Sequence, residues 1–142
     1  MIFIFGCVCK IRMDNLKDKI IDYKTYLFNI IFFQNYDDKF KRTQLMYFKK
    51  DAKAYCQSFL ENVIFLKEID ISKYFKLGTI KELEELLYYE WSEEKLQKLL
   101  DKGTKIEVYL GGVDKIIEAS KVKEFFKNFA TVYYIKEKGH LL

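Results

Sequence analysis

The sequence predicts a small α/β domain, and three observations carry that prediction. Two short apolar runs, at residues 1–8 and 26–33, are rich in β-branched and aromatic side chains and are separated by an amphipathic segment. A charged, helical-looking stretch follows, and after Gly103 a strand, helix, strand order returns. The chain has 142 residues, half of them hydrophobic, which is enough to bury one core.

The first run ends at Lys10, far short of the ~20 apolar residues that a membrane span requires, and no basic residue precedes it. It is expected to form a buried strand. Residues 10–22 place Ile11, Leu16 and Ile20 on a rough helical stripe, and residues 26–33 supply a second core strand. Near-continuous apolar strands joined by a helix favour a parallel sheet covered on both faces.

Residues 34–103 read as a helical insert between residual core segments at 1–33 and 104–142. From Asp38 to Glu61 the apolar residues Phe40, Leu45, Phe48, Ala52, Tyr55, Cys56 and Phe59 recur at three- and four-residue steps. Thr79 and Glu82 form a capping-box pattern for a helix reaching about Trp91, with Ile80, Leu83, Leu86 and Leu87 as its buried stripe. Ser92 is positioned to cap the next helix, and Gly103 to end it. Beyond it come a strand at 106–110, a Gly-Gly-Val-Asp turn at 111–114, a helix at 120–129 and a strand at 130–135.

Composition excludes several classes of function. The formal net charge of +4 falls short of the one-sided basicity of a nucleic-acid binder. Cys7, Cys9 and Cys56 are odd in number, two of them one residue apart, so a disulfide framework is not expected and a reducing cytoplasm is. Cys7-Val8-Cys9 lacks companion ligands, so no metal and no cofactor is expected. The absence of proline accompanies a composition in which 23 of the 25 basic residues are lysine, and it carries no information about fold.

Two residues stand where chemistry is expected. Asp114 follows one predicted strand in a glycine turn, and His140, the only histidine, follows the next, directly after Gly139. In a parallel sheet both project from the carboxyl edge, where open α/β sheets place their sites. An acid that orients a histidine, which then takes a proton from a nucleophile, is the acid and base half of a hydrolytic triad. Taken separately, each also has an ordinary reading: Asp in a glycine turn, and a terminal surface histidine.

The stretches IEVYLGGVDKII at 106–117 and YYIKEKGH at 133–140 resemble the C-terminal part of the α/β-hydrolase superfamily, in which the acid follows the seventh strand and the histidine the eighth. Within it the chain is most similar to the small pimeloyl-acyl-carrier-protein methyl ester esterases of biotin synthesis. LFNIIFFQN at 27–35, followed by KFKR at 39–42, resembles their sixth strand running into the lid. The resemblance covers residues 20–142. It implies a cytoplasmic carboxylesterase with Asp114 and His140 as catalytic residues and residues 34–103 as the lid.

The same resemblance implies a serine in a G-x-S-x-G turn, where glycines permit the strained elbow that exposes the hydroxyl. This sequence has none: its glycines are at 6, 78, 103, 111, 112 and 139, and its serines at 58, 72, 92 and 120. If residues 2–6 occupy the elbow strand, the nucleophile position falls near Ile4, and the nearby thiols of Cys7 and Cys9 lack the elbow pattern. The nucleophile is therefore unassigned, as expected of a truncated or frameshifted, non-catalytic remnant.

Lys39, Lys41, Arg42, Lys49, Lys50 and Lys53 stand against Asp51 alone, a net charge of +5 over fifteen residues. Under the resemblance this basic lid would hold an acidic acyl carrier protein. The plainer alternative is the solvated face of a lysine-rich helix. Neither nucleic acid nor membrane is expected as a partner, and an unrelated helical interaction module remains the third reading.

Overall fold

The computed structural model describes residues 2–3, 24–28, 30–70 and 76–142. These residues form an α/β domain around a four-stranded, wholly parallel sheet in the order β1-β2-β3-β4, with β1 at Ile2–Phe3, β2 at Lys24–Phe28, β3 at Lys105–Gly111 and β4 at Thr131–Ile135. Leu27 pairs with Val108, and Val108 with Val132. The first strand is described only over its two residues. The remainder of the expected strand at 1–8, the expected helix at 10–22, and with them Ile4, Gly6, Cys7 and Cys9, lie outside the described residues.

The apolar run at 26–33 does not form one strand. Pairing stops at Phe28, and residues 30–33 are buried without strand geometry. Tertiary contacts claim them: the Ile31 carbonyl accepts the Trp91 indole N–H at 2.9 Å, and the Phe32 ring lies 5.3 Å from that of Phe125. Hydrophobicity marks burial here, whereas strand pairing depends on where the backbone groups find partners.

Among the described residues, four helices lie in the long connection from β2 to β3: α1 (Asp38–Lys50), α2 (Ala52–Val63), α3 (Ile80–Leu87) and α4 (Glu93–Asp101). The apolar pattern running unbroken from 38 to 61 is divided at Asp51, the one acid of the lysine run. Its backbone N–H donates to the Tyr47 carbonyl at 3.1 Å, closing α1, while its carboxylate accepts from Ala54 N–H at 3.0 Å, opening α2. Asp51 itself is extended, at φ −157°. The two helices meet through Phe48 and Tyr55, whose rings pack edge to face 5.7 Å apart.

The Thr79–Glu82 capping box is formed, but α3 stops at Leu87, four residues short of the expected end. Trp91 again explains the difference: its backbone N–H donates to Gln34 Oε1 at 2.7 Å, drawing residues 88–91 toward β2 and out of the helix. Ser92 caps α4, and Gly103, at φ +82°, ends it in the left-handed region.

The last helix, α5 (Ala119–Phe126), crosses from β3 to β4. It ends three residues before the expected boundary at 129. Val122 and Phe126 are fully buried and, with Val108, Leu110, Phe32 and Leu87, belong to the core. Burial of both sheet faces, expected from the sequence, is not reached at β4, where Tyr133, Tyr134 and Ile135 are exposed at the sheet edge. Among the described residues no helix is long and apolar enough to cross a membrane.

Candidate functional site

The carboxyl edge of the sheet gathers three connections: residues 30–37 after β2, residues 112–118 after β3 and residues 136–142 after β4. The last two approach each other closely. Gly112 N–H donates to the Ile135 carbonyl at 2.8 Å and Val113 N–H to the Lys138 carbonyl at 3.0 Å. Gly111 lies directly against Gly139: a Cβ at position 111 would overlap the Gly139 carbonyl oxygen and stand 2.7 Å from its carbon. Glycine is required here by space, since the two backbones touch.

This approach joins the two residues singled out in the sequence. Asp114 Oδ2 lies 2.7 Å from His140 Nδ1, and the two side chains are only 4% and 1% exposed. Asp114 Oδ1 accepts from the backbone N–H of Ile116 at 2.6 Å and of Ile117 at 3.2 Å. The carboxylate is thus oriented by its own turn, as short acidic side chains do when they bond the backbone two and three residues on. A carboxylate oxygen facing Nδ1 accepts from an N–H there, which leaves Nε2 as the ring nitrogen turned away from the acid. Nε2 is buried and has no hydrogen-bond partner among the described residues.

A buried imidazole nitrogen without a partner is costly in a finished core. At a reactive site it is the atom that receives a proton. None of the described serines bonds it: Ser92 caps α4, and Ser58 and Ser120 lie exposed on α2 and α5. Ser72, Cys7 and Cys9 are outside the described residues.

Tyr36, which no sequence pattern singles out, joins the edge from the β2 side. Its ring lies 4.5 Å from Phe40 and 5.5 Å from Phe33. Burial first, and then the carboxylates of Glu118 and Asp114, push its hydroxyl above the usual 10.0, partly opposed by a backbone hydrogen bond at Glu118. The phenol therefore stays neutral throughout the neutral range. No spacing rule would have found it, because its placement depends on α5 beginning at the same edge.

The six basic residues do not form one surface. Lys39, Arg42, Lys49, Lys50 and Lys53 are exposed. Lys41 is not: it is 6% exposed, with its ammonium 4.8 Å above the Tyr88 ring. Its position, four residues before Leu45 and seven before Phe48, lies on the apolar stripe of α1, a signal already present in the spacing. Lys39, Arg42, exposed Met46 and Lys49 instead share the outer face of α1.

An open groove of 540 Å³ between α1 and α2 is lined by Tyr47, Tyr55 and Phe59 with Gln44, Lys50 and Asn62 among the polar groups. Neither Asp114 nor His140 lines it. No group of three or more His, Cys, Asp or Glu side chains among the described residues is arranged to hold a metal ion. Fold and site together define an α/β protein with a buried acid–histidine pair at the carboxyl edge of its sheet. Comparison with family models, with curated proteins and with solved structures returns no match to this chain.

Proposed function

We propose that this chain carries the acid, base and lid of a carboxylic-ester hydrolase of the α/β-hydrolase type, resembling the pimeloyl-acyl-carrier-protein methyl ester esterases. The observation that carries the reading is the buried 2.7 Å Asp114–His140 contact, with Nε2 unpartnered among the described residues. In this reading Asp114 keeps the proton on Nδ1, and Nε2 takes the proton of an attacking hydroxyl and returns it to the departing alcohol. General-base assistance of this kind contributes about 10²–10⁴ in rate. The attacking group is not assigned, and the covalent step of a serine hydrolase is not available from Asp114 and His140 alone.

The purified chain is expected to hydrolyse a short p-nitrophenyl ester faster than buffer, and His140→Ala to remove that excess. Turnover no faster than buffer would reject the catalytic reading.

A second reading, a non-catalytic module that binds an acyl carrier protein, is favoured by the exposed basic stripe on α1. An acidic carrier is expected to bind in a salt-sensitive manner, and Arg42→Glu with Lys49→Glu to weaken binding by about tenfold or more, since like-charge juxtaposition costs several kcal/mol. Titration of the carrier into both proteins checks this. Equal binding by the two would remove the stripe as the docking surface, and Lys41→Gln, whose ammonium is directed inward, is expected to leave affinity unchanged.

A further inference from the structure

The turn that ends α2 reaches both neighbours of the acid–histidine pair. Phe65 N–H donates to the Asn62 carbonyl at 3.4 Å and Lys67 N–H to the Ile64 carbonyl at 2.7 Å. Between them Leu66 has φ +69°, a left-handed conformation that crowds the Cβ of any residue other than glycine. The residue is 61% exposed, so it recovers little by burial. Something else must hold the turn in place.

The contacts of Phe65 supply that hold. Its ring lies 3.5 Å below the Lys115 ammonium, a cation–π contact. Its carbonyl oxygen lies so close to Gly139 that a Cβ there would be 2.8 Å from it. Lys115 follows Asp114 in the chain, and Gly139 precedes His140. One residue at the end of α2 therefore presses on the chain neighbours of both members of the pair, while Nε2 is shut away from solvent without a partner among the described residues.

We propose that residues 64–67 form a strap that closes over the Asp114–His140 pair, latched by Phe65 against Lys115 and Gly139, with Leu66 as the strained hinge on which it opens. Nε2 becomes reachable only when the strap lifts, and the fraction of open molecules scales every reaction at that nitrogen. The inference rests on the proposed role of the pair only in naming what the strap guards, and its test uses no ester hydrolysis.

His140 is the only histidine, so carbethoxyhistidine formed by diethyl pyrocarbonate on the full chain reports this ring alone. The wild-type chain is expected to react more slowly than N-acetylhistidine. Lys115→Gln, a change at an exposed residue, is expected to raise the rate about two- to fivefold by removing the cation–π latch. Phe65→Ala is expected to raise it by about tenfold or more. Wild-type rates in both variants, each with an unaltered unfolding transition, would overturn the strap, as would a wild-type rate equal to that of N-acetylhistidine. A chain without ester hydrolysis whose variants still show the acceleration would lose the hydrolase reading and keep the strap.

Discussion

Alanine at position 114 is expected to lower folding stability by about 3–5 kcal/mol, the cost of leaving one partner of a buried polar pair alone. Three hydrogen bonds are lost together. Ile116 and Ile117 N–H lose their acceptor, and His140 Nδ1 loses its partner on a ring whose Nε2 has none among the described residues. Urea unfolding followed by circular dichroism measures the change. Asp114→Asn is expected to cost less, because its amide oxygen can still accept from the turn while its NH₂ opposes the donating Nδ1–H. A loss in Asp114→Ala below about 1 kcal/mol would show that the pair contributes nothing beyond an ordinary surface contact.

Gly111→Ala is expected to be at least as damaging, by a different route. The new Cβ would overlap the Gly139 carbonyl and crowd the Gly139 backbone carbon at 2.7 Å, and neither can rotate away as a side chain would. The connection after β4 must move, and it carries His140. A loss of about 4 kcal/mol or more, or failure to fold, is expected. Gly103→Ala provides the comparison: nothing lies within 4 Å of its added Cβ, but its φ of +82° disfavours alanine. Its expected cost is about 1–2 kcal/mol. Equal costs in the two variants would mean that the approach of the loops at Gly111 is not tight in solution.

Local chemistry made some of this legible. The Thr79–Glu82 box, the Ser92 cap and the Gly103 stop depend on bonds within three or four residues, and all three stand where the spacing puts them. Strand β3 was equally plain, because its apolar residues lie between two glycine turns. Other element ends were not legible. Asp51 splits a pattern that continues across it, because periodicity records which side chains are apolar and not where a carboxylate caps. Trp91 ends α3 through Gln34 and Ile31, residues 57 and 60 positions away in the chain.

The candidate site divides in the same way. That Asp114 and His140 follow successive strands is a property of the sequence, and in a parallel sheet that order alone places both on one edge. Their 2.7 Å contact is not: it requires the loops to touch at Gly111 and Gly139. The basic run was countable as charge and the place of Lys41 on the apolar stripe was present in the spacing, but its packing over Tyr88 belongs to the folded chain.

By itself, then, the sequence determined the α/β class, the helical insert with its caps, and the two residues that carry the candidate chemistry, because each is written in short-range spacing and chain order. Only the tertiary structure decided that Nε2 is buried without a partner among the described residues, that Tyr36 joins the edge, and that Phe65 presses on both neighbours of the pair. Those facts come from segments far apart in the chain competing for the same space and the same hydrogen-bonding groups, which no local pattern records.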